Sequence, residues 1–184
     1  MTMETWFRIA LVAAATVTAA AAVRSAAPTN PVGARLPSVG GRSLDGEEIR
    51  FPEKVLGAPS VLLVAYRRGT QPDVDRWIDL LVHKAPGTTF YEVPTLSNPL
   101  WKPLAGWIDS GMRGGVPREK WPLVVTLYEE APVLRDFLGD RGGYATHVVL
   151  LDAGGRVVWF DAGGYSPAAA EALLASLRTL EGTP

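Results

Sequence analysis

Six consecutive apolar residues, Val61-Leu62-Leu63-Val64-Ala65-Tyr66, lie between Pro59 and the polar stretch Arg67-Arg68-Gly69. A run without polar alternation predicts a strand buried on both faces, and only the interior of a covered sheet provides that environment. A helix is expected next, with Pro72 in its first turn. Its apolar positions, Val74, Trp77, Ile78, Leu81 and Val82, follow the i, i+3, i+4, i+7, i+8 spacing of one helical face. Asp73, Asp75, Arg76 and Asp79 take the wet side, and Asp73 and Asp75 suit the positive end of the helix dipole. Pro86-Gly87 stops the helix, and Thr89-Phe90-Tyr91-Glu92-Val93 reads as a second strand. Strand, helix and strand at this spacing make a βαβ unit, so the two strands should run parallel.

The flanking segments fill in a mixed sheet. Residues 36–59 read as a β preamble in which Asp45-Gly46 marks a hairpin turn and Ile49 and Phe51 alternate with charge. Residues 94–122 are irregular, about 29 residues long, with short helices expected around 100–112; a stretch this long is expected to carry local structure. A third strand is expected over 123–128 and a short helix over 133–138, closed by Gly139. A fourth strand over 147–151 turns through Asp152-Ala153-Gly154-Gly155 into an antiparallel partner over 156–160. Ser166 and Pro167 are the N-cap and first residue of a last helix reaching about residue 180. The expected class is α/β, in three layers: a mixed central sheet, helices on both faces, and an insertion at about 95–122.

The chain of 184 residues suits one domain with a tail. An uncharged run from Ile9 to Val23 follows Arg8, and Ala20-Ala21-Ala22 offers small residues at a cleavage site. Roughly 15 apolar residues fit a signal peptide and fall short of the ~20 that span a bilayer. An uncleaved anchor extending through Trp6 competes with that reading. Residues 1–25 are therefore expected to be a signal peptide or N-terminal membrane anchor, 26–35 a linker, and 36–184 the domain. Either reading exports the domain: periplasmic or otherwise extracytoplasmic, secreted or held at the membrane. A net charge of -1 gives no footprint for nucleic acid. With no cysteine and only His83 and His147, no metal site is expected, and no cofactor. Walker, G-x-S-x-G, H-E-x-x-H and G-x-G-x-x-G motifs are absent.

The order of elements resembles the thioredoxin-like superfamily. The preamble with Asp45-Gly46 and the late hairpin VVLLDAGGRVVW (148–159) look like those of exported thiol-disulfide proteins and peroxiredoxins. Four pieces are similar, more narrowly, to the thioredoxin-like assembly factors of the ATP-synthase membrane sector: LLVAYRRGTQPDVDRW (62–77), YEVPTLSNPLWKPLAGWIDSGMRGGVP (91–117), the short helix 134–138, and HVVLLDAGGRVVWFDAGG (147–164). The resemblance implies that the Cys-x-x-Cys positions fall at Gln71 and Val74. Neither forms a thiolate, the nucleophile that thiol-disulfide chemistry requires. The superfamily's cis-proline falls near Thr146.

Two groups of residues follow as candidate sites. Arg67, Arg68, Gln71, Pro72, Val74, Thr146 and His147 make up a degenerate active-site pole, where ligands bind in open α/β sheets. Leu100, Trp101, Trp107, Ile108, Met112 and Trp121 form an aromatic patch suited to a protein interface, flanked by Arg113, Arg118 and Lys120; a satellite core explains the same residues. Trp77 and Trp159 are expected in the core. The leading expectation is a non-catalytic, cysteine-less domain that binds a protein partner. It would act as an assembly or chaperone factor for a membrane complex, with an ATP-synthase subunit as one such partner. The alternative is an extracytoplasmic enzyme or anion-binding protein that uses Arg67, Arg68 and His147 without thiol chemistry.

Overall fold

The computed structural model describes residues 30–96, 110–139 and 144–182. The expected leader or anchor therefore lies outside the described residues. The strands are β1 (Val39–Ser43), β2 (Glu48–Phe51), β3 (Ser60–Ala65), β4 (Thr89–Pro94), β5 (Val125–Thr126), β6 (His147–Leu151) and β7 (Val157–Asp161). The helices are α1 (Gln71–Lys84), α2 (Ala131–Leu138) and α3 (Pro167–Glu181).

A four-stranded sheet has the order β4-β3-β6-β7. β3 and β4 are parallel, as the βαβ spacing predicts, and β6 is antiparallel to both β3 and β7. A second sheet, β2-β1-β5, is joined to the first by parallel bridges Glu92–Val124 and Thr95–Leu127. The Leu127 N–H donates to the Pro94 carbonyl at 2.9 Å, which ties the two sheets together there.

β3 fills the interior position its sequence demands, with Val61 to Val64 fully buried. Its side chains alternate between two cores. Leu62 and Val64 join Phe51, Tyr91, Leu134 and Leu151 under α2 and the β1–β2 hairpin. Val61 and Leu63 join Val74, Trp77, Leu81 and Leu173 under α1 and α3. Helices thus lie on both faces of a mixed sheet. α3 starts as its sequence predicts, with the Ala169 N–H donating to the Ser166 hydroxyl at 3.1 Å.

The expected third strand over 123–128 is shorter. Residues 118–123 form a 3-10 turn, and only Val125–Thr126 pairs with β1. Pro122 has no N–H to give a ladder, and the Trp121 and Val124 carbonyls both accept from the Leu44 N–H. β5 approaches β1 so closely that a Cβ on Gly41 would stand 2.8 Å from the Thr126 carbonyl. The end of the expected linker is also docked. The Gly33 N–H donates to Val157, Val157 to Ala34, and Leu36 to Gly155, so residues 33–36 run along the β6–β7 turn. No helix among the described residues is long and apolar enough to cross a membrane.

Candidate functional site

The C-terminal end of β3 leads through Tyr66 and Arg67 into a 3-10 turn, Arg68–Thr70, and then α1. Arg67 and Arg68 are exposed. The Arg67 guanidinium stacks 5.8 Å from the Tyr144 ring centroid, and that ring occupies the space a side chain on Gly69 would need. Gln71 and Pro72 are exposed, and the Gln71 amide donates to Asp75 at 2.9 Å. Val74 is fully buried and packs with Trp77. Of the two positions that the resemblance aligns with Cys-x-x-Cys, Gln71 is thus wet and Val74 is absorbed into the core.

Asp73 departs from the sequence expectation. It is not on the wet side but turns inward. Its two carboxylate oxygens accept the Thr146 N–H and the Tyr165 N–H, each at 2.8 Å. Gly164 makes room for it, because a Cβ there would lie 3.1 and 3.2 Å from the two oxygens. One carboxylate therefore ties together the start of α1, the residue before β6 and the loop before α3. A proline at 146 would have no N–H to donate, so threonine there and aspartate at 73 belong to the same arrangement. Among the described residues the only cis peptide is Phe51–Pro52. The buried hydroxyls of Thr70 and Thr146 have no hydrogen-bond partner among the described residues.

His147 lies on the other side of the sheet end. It is 3% exposed, opposite Val64 in the ladder, with ring centroids 4.9 Å from Tyr66 and 5.8 Å from Phe160, both edge-on. The residues expected to form one pole are therefore split. Thr146 meets Asp73 on the α1 side, His147 sits in an aromatic cage on the α2 side, and the two arginines project into solvent.

Of the aromatic patch, Leu100, Trp101, Trp107 and Ile108 lie outside the described residues. Met112 and Trp121 are half-buried. Trp121 Nε1–H donates to the Val116 carbonyl at 2.9 Å, and Arg113 and Arg118 stack on its ring at 5.5 and 5.8 Å. Arg113 Nε–H also donates to the Leu44 carbonyl at 2.6 Å. Trp121 is thus a peg for its own loop, and the two arginines spend their guanidinium faces on it.

A groove that the sequence did not announce lies beside α1. It has a volume of about 380 Å³, with Phe90 and Glu92 of β4 as its floor, α1 as one wall and the 115–124 segment as the other. Burial pushes the Glu92 carboxyl above its ordinary value, the Asp75 carboxylate adds to this, and the Gln71 amide works against it. The available signal was a carboxylate inside an otherwise apolar strand. Among the described residues, no three His, Cys, Asp or Glu side chains are grouped to hold a metal.

No protein-family model and no curated protein matches the chain in sequence. Solved structures do match in fold. The pneumococcal exposed lipoprotein thioredoxin of Streptococcus pneumoniae is 15% identical with a TM-score of 0.53, covering 78% of this chain and 100% of that one. Copper-bound ScoI of Arabidopsis thaliana is 12% identical with a TM-score of 0.56, covering 79% and 99%. BsSco, a member of the Sco family of cytochrome c oxidase assembly proteins, is 13% identical with a TM-score of 0.57, covering 84% and 98%. The narrower resemblance to ATP-synthase assembly factors finds no counterpart among these three. The topology, the two cores and these neighbours agree: the chain has the thioredoxin-like fold, and it carries that fold without a cysteine.

Proposed function

We propose that this protein is a non-catalytic thioredoxin-like domain that binds a protein partner on the extracytoplasmic side of a membrane, as an assembly or chaperone factor. The observation that carries the reading is the state of the pole. Gln71 is hydrogen-bonded to Asp75, Val74 is in the core, and Asp73 occupies the backbone N–H groups of Thr146 and Tyr165. Thiol chemistry has no nucleophile there, and the adjoining donors are already used. Two of the fold neighbours, a Sco-family assembly protein and an exposed lipoprotein, are consistent with such a role. An ATP-synthase subunit is the partner class to which the sequence resemblance points. The anion-binding alternative is less well served, because His147 is caged and Arg67 stacks on Tyr144.

The test is crosslinking and recovery of partners from membranes with the full chain. Recovery of a defined membrane complex is expected, and a Trp101→Ala/Trp107→Ala variant reports whether the aromatic patch is responsible. Equal recovery by that variant would remove the patch from the interface. Failure to recover any complex would remove the assembly role. Peroxide or disulfide turnover by the purified protein would overturn the non-catalytic reading.

A further inference from the structure

Two helices packed side by side cover about 18–20 Å of a sheet, close to the width of four strands. Among the described residues α1 and α3 are the two helices on their face, and Val124 and Leu127, which flank β5, extend the sheet past β4. Among the described residues no third helix lies over Phe90 and Glu92 on the far side of α1, and the groove is the space between α1 and the 115–124 segment. Its walls are largely apolar: Ile78 and Val82 on α1, Val116 and Leu123 opposite. Val82 is 48% exposed, a large aliphatic side chain on a helix whose other apolar positions are covered.

Set into these walls are three carboxylates. Asp75 and Asp79 stand one turn apart on α1, and Glu92 rises from the floor. Facing them are Lys120 on the 3-10 turn and His83 on α1. Asp75 accepts from the neutral Gln71 amide, and Asp79 lies 3.1 Å from His83, which is exposed. The groove therefore holds more negative than positive charge, around a carboxyl already half-removed from water. The β4 edge adds a backbone feature. Its ladder with the 124–127 segment begins at Glu92, so Thr89, Phe90 and Tyr91 pair only with β3 among the described residues.

The geometry points to this groove as a docking surface for an extended polypeptide segment that carries lysine or arginine among apolar side chains. The apolar walls take the aliphatic side chains, and Asp75, Asp79 and Glu92 take the cations. The open start of β4 offers the hydrogen-bonding row that an extended chain needs. This rests on the protein-binding reading above and supplies its partner class. Binding a cation beside Glu92 favours the ionised form of its carboxyl, so docking is coupled to release of a proton.

The probe is an acetylated, amidated heptapeptide alternating leucine and lysine, with its leucine–glutamate counterpart as control. Both are titrated into the full chain and read by fluorescence anisotropy and amide chemical shifts. The lysine peptide should bind at least about tenfold more tightly than the glutamate peptide. It should perturb α1, β4 and 115–124. Asp75→Asn/Glu92→Gln should weaken it by a similar factor, Lys120→Glu should strengthen it, and Asp136→Asn on the far surface should leave it unchanged. Affinity should fall as pH drops through the raised titration range of Glu92. Asp75, Asp79, His83 and Lys120 face the same groove and are unchanged in Glu92→Gln, so the diagnostic is a smaller pH-dependent fall in that variant than in wild type. Equal binding by wild type and the double variant, or shifts centred elsewhere, overturns the groove. The membrane experiment separates the two readings. A partner captured without peptide binding sinks the groove alone, and peptide binding without a captured complex sinks the assembly role alone.

Discussion

Removing the Asp73 carboxylate should loosen three segments at once. In Asp73→Ala, the N–H groups of Thr146 and Tyr165 each lose an acceptor at 2.8 Å. A hydrogen bond to a charged group contributes about 1.5–3 kcal/mol net. Asp73 is half-buried, so both bonds are discounted for screening. The buried Thr146 N–H, in contrast, has no water to replace its partner. Together these give a loss of about 2–4 kcal/mol, which for a domain of this size lowers the melting temperature by roughly 5–15 °C. Urea and thermal unfolding measure it directly. Formate, small enough to enter the space left by the side chain, should partly restore Asp73→Ala and do nothing for wild type. The same substitution in a Thr146→Pro background should cost less, because one of the two donors is already gone. An Asp73→Ala loss below about 0.5 kcal/mol, the scale of an ordinary surface change, would refute the clamp.

Glu92 and Glu130 should respond to pH with opposite signs. Glu92 is raised, first by burial, so its ionised form costs stability above the folded value, and that cost fades as pH falls through it. Glu92→Gln should therefore be the more stable protein at neutral pH, with the gap closing in acid. Glu130 is lowered by its hydrogen bonds from Arg50 and Gly40, so its contribution is full above the unfolded value and is lost as pH falls through the folded one. Glu130→Gln should be less stable at neutral pH and converge with wild type in acid; parallel pH–stability curves for either variant would contradict this. Trp77 is fully buried and edge-on to Tyr165 at 5.2 Å and Trp159 at 6.3 Å, so Trp77→Ala should cost about 3–5 kcal/mol in urea unfolding. Gly155 has φ +75 and would bring a Cβ to 2.7 Å from Pro52, so Gly155→Ala should destabilise by about 1–3 kcal/mol, measured the same way.

The parts of the fold that were legible in sequence are those with long, single-period signals. The unbroken 61–66 run gave β3, the Val74–Trp77–Leu81 spacing gave α1, and Ser166-Pro167 gave the start of α3. β5 is shorter than its sequence suggests because Leu123 looks like a strand residue but closes the 3-10 turn 118–123 that holds Pro122, while Val124 is extended and bridges Glu92 instead of β1. The inward turn of Asp73 is hidden from the sequence for a different reason. Helical periodicity places it on the polar face, and nothing local reveals donors arriving from residues 146 and 165. Glu92 stands out as an anomaly within a strand, but the groove around it depends on where α1 and the 115–124 segment sit over β4, a fact of tertiary packing.

The docking of residues 33–36 along the β6–β7 turn fixes where any leash enters the domain. That turn follows Leu151, which pairs with Ser60 at the start of β3, whereas His147 pairs with Val64 at the other end. The five residues of β6 span about 17 Å. Force applied through the segment before Asn30 is therefore delivered at the end of the sheet remote from Asp73. If that segment is held at a surface, the N-terminus of α1 points away from the point of attachment and the α1 groove runs alongside. The domain would then stand on its tether with the Asp73 end of its sheet outermost and the α1 flank facing sideways.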